Sequence, residues 1–280
     1  MTVDLHLHSK ASDGTESPAQ VVRRASRLGV TTIALTDHDT LAGIAEAKAA
    51  AAPLPIDLIP GTELSVDWPT GKMHLLVYFL EPIAGPLQDR LAWLREGRNR
   101  RNAAIVNRLQ QLGYDVTLGE AEAQAEGPSV GRPHIADALV TKGYFDARSE
   151  AFHDLLADGG AAYIERVRLS AQEAISLARD SGAVPVIAHP YTIGLGRAEY
   201  RAAFRELTSL GLGGIEAYYP EHTPALRSHL ASIADQLGIV ATGGSDYHGT
   251  GKPGLEIGTG RGDLIVPDHV VTALAASRFT

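Results

Sequence analysis

The 280-residue chain is 44% hydrophobic, enough for one large α/β domain or a barrel carrying an inserted subdomain. Its formal net charge of -8 argues against broad binding of nucleic acid such as a DNA duplex, and the absence of cysteine removes disulfides, thiolate metal sites and cysteine nucleophiles together. There is no run of eighteen apolar residues and no basic segment leading into an apolar one, so a cytoplasmic protein without a membrane partner is expected.

The first predicted strand, TVDLHLH from Thr2, alternates so that Asp4, His6 and His8 share one face and Val3, Leu5 and Leu7 the other. In SPAQVVRRASRLG, Ser17 can cap a helix, Pro18 takes its first position, Gln20 completes a capping box and Gly29 ends it. TTIALTDHD from Thr31 is the second strand, followed by a helix expected from Thr40 to about Ala52. IDLIPGTELSV from Ile56 and MHLLVYFL from Met73 read as strands of a hairpin joined across DWPTGK.

After Pro86 the pattern changes. Leu87, Leu91, Leu94, Ile105, Leu109 and Leu112 fall on one helical stripe, which Arg98, Arg101 and Asn102 interrupt where apolar residues are expected. Short helices follow, one capped by Thr117 with Glu120, and no strong strand is visible. Residues 100–167 are therefore predicted to form a small helical insertion between two parts of a barrel, 1–99 and 168–280. In the second part, a helix capped by Ser170 and Glu173 leads to AVPVIAHP, a helix from about Glu199 to GGIEAYYP, and one opened by Thr223 and Pro224 to GIVATGGSDYHG; a last helix begins near Pro267. About seven strands alternating with helices indicate the α/β class, barrel-like or doubly wound.

Seven of the eleven histidines, His6, His8, His38, His74, His134, His189 and His248, sit at predicted strand or helix ends near glycine, proline or carboxylates. Any one alone is an ordinary hydrogen-bonded residue. In a barrel, however, the strand ends converge on one mouth, where His6, His8, His38, Glu63, His189, Asp246 and His248 would meet. Close histidines and carboxylates repel one another unless cations occupy the centre. Nitrogen and carboxylate donors without thiolate indicate Mn, with Zn or Fe as alternatives. About ten candidate ligands are too many for one ion and suit two or three, with Glu63 as a natural bridge. His153, His222, His229 and His269 read as surface or packing residues.

The stretches HLHS, TDHD, GTELS, AHP and SDYHG come in the order of the motifs of the PHP family, named for polymerase and histidinol phosphatase domains, which this sequence resembles over nearly its whole length outside the insertion. The resemblance implies a distorted seven-stranded (β/α) barrel and a trinuclear metal centre that hydrolyses phosphoesters. Carried over by residue, it implies one ion held by His6, His8, Glu63 and Asp246, a second by Glu63, His74 and His134, and a third by Asp13, His38, His189 and His248. Glu63, Asp246 and His189 would be the catalytic residues, with Asp37 and Asp39 orienting His38 or capping the next helix. A metal-activated hydroxide attacking phosphorus in line is the expected chemistry.

The stretch REGRNRR from Arg95 to Arg101 bears on the substrate. A charged run is ordinarily the solvated face of a helix, but this one interrupts a buried stripe. Guanidinium forks bind phosphate bidentately, so Arg98, Asn99, Arg101, Asn102 and Arg132, with Asp13 and His134, are candidate substrate-binding residues for a phosphate that is not cleaved. The helical insertion and this segment resemble the 3',5'-nucleoside bisphosphate phosphatase branch of the family. That implies removal of the 3'-phosphate from nucleotides such as adenosine 3',5'-bisphosphate. Tyr191, Tyr218 and Tyr219 are candidates for stacking its base, although aromatic residues near a barrel mouth are as often packing. The alternatives are a 5'-3' exoribonuclease on short RNA ends, a histidinol phosphate phosphatase, a C-N amidohydrolase or a non-catalytic metal-binding module.

Overall fold

The computed structural model describes residues 2–125 and 130–279; residues 126–129, within the expected insertion, lie outside the described residues. The chain divides into two compact units, residues 1–91 with 168–280 and residues 92–167, so the division falls inside a helix, ahead of residue 100. Among the described residues no helix is long and apolar enough to cross a membrane.

The larger unit opens with β1 (Thr2–Leu7), α1 (Pro18–Arg27), β2 (Val30–Leu35) and α2 (Ile44–Ala51). The capping box of α1 forms as its sequence predicts: Ser17 Oγ accepts from the Gln20 N–H and Gln20 Oε1 from the Ser17 N–H. By contrast, α2 starts at Ile44 and not at Thr40. The Thr40 hydroxyl accepts from the Ala42 N–H at 3.2 Å while the Thr40 N–H donates to Thr62 Oγ1, so local side-chain bonds hold a turn where a helix was expected. The hairpin forms from β3 (Asp57–Asp67) and β4 (Met73–Tyr78), with Glu63 opposite Leu76.

A single helix, α3 (Pro86–Gln111), leads into the second unit, which holds α4 (Leu118–Gln124), α5 (Arg132–Thr141) and α6 (Arg148–Ala151), the last running into one π-turn over Phe152–Leu156. That unit has its own core, including Ile105, Leu109, Val116, Ile135, Leu139, Leu155 and Leu156. Leu112, expected on the buried stripe, is 40% exposed, because α3 has ended and the chain turns through Gly113 at φ 92°.

The larger unit resumes with β5 (Leu169–Ser170), α7 (Ala171–Asp180), β6 (Val184–Ala188), α8 (Tyr200–Ser209), β7 (Gly214–Tyr218), α9 (Pro224–Leu237), β8 (Val240–Gly243) and α10 (His269–Ala276). Seven strands form the path β1-β2-β3-β4-β6-β7-β8, and the two-residue β5 pairs with β3 alone. Every neighbouring pair is parallel except that β4 runs antiparallel to both β3 and β6. The curled sheet closes where the His8 N–H donates to Tyr247 O at 3.0 Å and the Asp246 N–H to His6 O at 2.9 Å. Gly244 permits that approach, since a Cβ there would lie 2.4 Å from His6 N. Val3, Leu5, Leu76, Tyr78, Val186 and Val240 fill the interior, each aliphatic side chain contributing about 1.5–3 kcal/mol on burial. Reversal of β4 has a functional consequence: its first residues lie at the same end of the sheet as the last residues of its neighbours, so His74 pairs with Ala188, next to His189.

Candidate metal centre

The strand ends of the larger unit bring nine of the candidate ligands together. Four groups have ligand atoms within 4.8 Å of one another: His8, Asp13, His38 and His248; His6, Glu63 and His189; His6, His8 and Asp246; His38, Glu63 and His74. His189 thus sits with Glu63 and His6, and His8 takes the place beside Asp13 that the resemblance had given to His189. Glu63 joins the set. Its Oε1 lies 2.7 Å from His74 Nδ1 and 2.9 Å from His189 Nε2, and its Oε2 lies 3.2 to 3.3 Å from nitrogens of His6, His8 and His38.

The donor set fits divalent cations. Nε2 of His6 and Nε2 of His8 face each other at 3.1 Å, with Asp246 Oδ1 3.5 and 3.4 Å away. Glu216 Oε1, 2.9 Å from His6 Nδ1, places that ring's proton on Nδ1 and leaves Nε2 as a lone pair. Lone pairs and carboxylate oxygens converging this closely, buried, need positive charge between them. All donors are nitrogen or oxygen, the set that suits Mn, Zn or Fe.

The electrostatics agree. Burial opposes ionisation of Glu63, Asp246 and Asp13, yet the surrounding histidines, with Lys252 at Asp246, hold all three carboxyls well below the usual range. Burial pushes His8 down to about 4 and His38 well below its ordinary value, leaving both neutral and able to ligate. Burial would lower His6 too, but the neighbouring carboxylates of Glu216, Asp246 and Glu63 outweigh it and hold its pKa above the ordinary value.

A model of the PHP domain matches residues 4–178. The chain belongs to the PHP family. Similar proteins within reach of that match include the 3',5'-nucleoside bisphosphate phosphatase of Chromobacterium violaceum, 32% identical over 91% of this chain and 90% of that protein. The phosphoribosyl 1,2-cyclic phosphate 1,2-diphosphodiesterase of Eggerthella lenta is 32% identical over 89% of this chain and 95% of that protein. The 5'-3' exoribonuclease Rnm of Escherichia coli is 33% identical over 91% and 87%. A candidate metal-dependent phosphoesterase of Bifidobacterium adolescentis, solved by crystallography, superimposes with a TM-score of 0.86 at 33% identity, covering 98% of this chain and 96% of that one. The fold is therefore the PHP barrel, and the protein is a PHP-family phosphoesterase, of a metal-dependent kind.

Around the PHP cluster stands a second layer, of which sequence reasoning named Asp37, though as a partner of His38 or a helix cap, and missed the roles of Glu216, Tyr219, Lys252 and Asp4. Glu216 accepts from the His6 ring and, through Oε2, from the His189 N–H at 2.7 Å. Tyr219 Oη donates to Asp246 Oδ2 at 2.7 Å, and Lys252 Nζ bonds the same oxygen. Asp4 accepts from the N–H groups of His6, Ser245 and Gly258, and burial raises its pKa to about 6. Asp37 accepts from the Ser9 N–H and from the hydroxyls of Ser9 and Ser12, so it shapes the loop that carries Asp13. Glu216 lies mid-strand in GGIEAYY, and only its complete burial reveals its task.

The remaining candidates lie in the insertion unit. His134 belongs to none of the four groups; its Nδ1 accepts from the Gly131 N–H at the start of α5. Asn99 is exposed and Arg98 half-buried on α3. Arg101 and Asn102 are buried, Arg101 Nε donating to Ile164 O and Asn102 Nδ2 to Val130 O. Arg132 Nη1 donates to Leu156 O, and the guanidinium groups of Arg101 and Arg132 each lie 5.8 Å from the Tyr163 ring centre. Of the three tyrosines offered for stacking, Tyr218 packs on the barrel core and Tyr219 is buried against Asp246. Tyr191 is 45% exposed.

Proposed function

We propose that the protein removes the 3'-phosphate of nucleoside 3',5'-bisphosphates, such as adenosine 3',5'-bisphosphate, yielding the 5'-monophosphate and inorganic phosphate. The observation that carries the reading is Glu63, whose two oxygens face separate sets of histidines, as a carboxylate bridging ions would. His6, His8, Asp13, His38, Glu63, His74, His189, Asp246 and His248 are assigned as the ligands, without His134, with Mn as the metal and Zn or Fe as alternatives. Bound divalent ions supply an acidified water and neutralise charge on the phosphoryl oxygens. The chain's own work is to hold that geometry. Glu216 fixes the His6 tautomer and the backbone at His189, while Tyr219 and Lys252 turn Asp246 so that Oδ1 faces the rings. Glu63, Asp246 and His189 are the residues assigned to the reacting centre.

Arg98, Asn99, Arg101, Asn102 and Arg132, with Asp13 and His134, are assigned to substrate. What supports this is the pair of guanidinium groups at Tyr163, each held by a main-chain carbonyl, with Arg132 also paired to Asp158 at 3.4 Å; guanidinium is the group that grips phosphate bidentately. The likeness to the Chromobacterium violaceum enzyme supports it as well. The comparable likeness to Escherichia coli Rnm favours, as a second reading, trimming of short RNA from the 5' end.

A substrate panel tests both. Mn-loaded protein given adenosine 3',5'-bisphosphate, 5'-AMP, 3'-AMP, histidinol phosphate and a short 5'-phosphorylated RNA is expected to release phosphate fastest from the bisphosphate. Equal rates on 5'-AMP and the bisphosphate would refute the two-phosphate reading, and faster release of nucleotides from the RNA would install the second.

A further inference from the structure

Three rings outside the ligand set pack together beside the cluster. Tyr191 lies in the single 3-10 turn Pro190–Ile193 that begins directly after His189. Its ring centre is 6.4 Å from that of His189, 5.8 Å from Tyr219 and 5.5 Å from His222, the last edge-on at 86°. The two supporting rings are buried and fixed: Tyr219 by its bond to Asp246, His222 by the bond of its Nδ1 to Ala217 O at 3.0 Å. Tyr191 itself is the exposed one. Among the described phenylalanine, tryptophan and tyrosine side chains of the barrel unit, no other is exposed.

Its backbone is held as firmly as its ring. Thr192 Oγ1 donates to Lys72 O at 2.8 Å, the Lys72 N–H donates back to Thr192 O at 2.9 Å, and Thr70 Oγ1 donates to Ile193 O at 2.7 Å, which ties the turn to the β3–β4 connection. An aromatic ring that packs on buried rings, is 45% exposed and lies beside a candidate ligand histidine is preorganised for a flat group joined to the reacting phosphate.

We propose that Tyr191 is the stacking platform for the nucleobase, and so a specificity-determining residue; the proposal rests on the reading of the substrate as a nucleotide. A ribose bridges the interval between a phosphate at the cluster and a base on Tyr191. Stacking tolerates any base, so the platform selects nucleotides over other phosphate esters without selecting among purines.

Equilibrium dialysis of Mn-loaded protein with 5'-AMP and with ribose 5-phosphate isolates the base from the phosphate and needs no turnover. The wild-type protein is expected to bind 5'-AMP roughly 5- to 150-fold more tightly. Tyr191→Leu should erase that gap while leaving ribose 5-phosphate binding as it was, and Tyr191→Phe should keep it. Equal binding of the two ligands by the wild type, a gap that survives in Tyr191→Leu, or a parallel loss of both ligands would each overturn the platform. Failure of the bisphosphatase reading is seen separately, in the substrate panel, and leaves these binding ratios intact.

Discussion

Glu216→Gln changes one buried oxygen into an amide nitrogen and little else in shape, which makes it the sharpest probe of the cluster. In the native site both carboxylate oxygens accept, one from the His6 ring at 2.9 Å and one from the His189 N–H at 2.7 Å. A glutamine offers one acceptor and one donor. The backbone N–H of His189 cannot reverse its role, so the amide oxygen goes to it and the NH2 group faces His6 Nδ1. That nitrogen must then accept, which moves the ring proton to Nε2, where it points at His8 Nε2, 3.1 Å away, and Glu63 Oε2, 3.3 Å away. A protonated Nε2 cannot ligate. Loss of a partner that orients a metal-bound histidine costs about 10- to 100-fold in metal affinity, or ~1.4–2.7 kcal/mol. Calorimetric titration of Mn into chelator-stripped protein measures it, with thermal melts of the stripped variant as the folding control. A folded Glu216→Gln protein whose Mn affinity lies within twofold of wild type would refute the assignment of His6 Nε2 as a ligand atom.

Four further outcomes follow from the same geometry. Dialysis against EDTA should abolish phosphate release and lower the melting temperature, and added Mn should restore both, because an ion bound to the folded cluster alone stabilises it by mass action; a melting curve indifferent to Mn would argue against binding. Tyr219→Phe and Lys252→Gln each remove one bond to Asp246 Oδ2, and since either partner still holds that oxygen, the double variant should lose more Mn affinity than the two singles combined, by about 0.5–3 kcal/mol; strict additivity would show that they act independently. Gly244→Ala forces a Cβ to within 2.4 Å of His6 N at the closure of the barrel and should cost at least about 1–3 kcal/mol in urea unfolding. His189, at φ 28°, is strained, so in stripped protein His189→Gly should be more stable than His189→Ala by about 1 kcal/mol; the reverse order would mean that the backbone relaxes.

The legible part of this site was whatever lies at the end of an apolar run. His6 lies on β1 and His8 directly after it, His38 follows TTIALTD, and Asp246 and His248 follow GIVATGGS, so the pattern of apolar runs delivered them to strand ends. The helix boundary at Thr40 misled, because a threonine hydroxyl can stand in for a backbone partner, and nothing in the local pattern says which it will do. Glu216 was illegible for a different reason. It sits between Ile215 and Ala217 as any polar residue of an alternating strand would, and whether its face looks to solvent or into the barrel depends on closure of the sheet across six other strands. Lys252 and Tyr219 were hidden in the same way, each defined by a contact with Asp246 rather than by its neighbours in sequence.

The grouping of the candidate ligands depended on strand direction, which no motif encodes. A wholly parallel barrel would put the first residue of β4 at the opposite end from Glu63; because β4 runs antiparallel to β3 and β6, His74 reaches Glu63 Oε1 at 2.7 Å and stands beside His189. The strained backbone marks the same places. Among the described residues, four other than glycine have positive φ, and three of them, Asp39, His189 and Asp246, directly follow or belong to the ligand set, each conformation costing of order 1–3 kcal/mol. Glycine would remove that cost at every one of them. At His189 and Asp246 it would also remove a side chain that the turn aims at Glu63 and at the facing rings of His6 and His8, so the strain persists where the donor atom is needed and the fold offsets it through the bonds of Glu216, Tyr219 and Lys252.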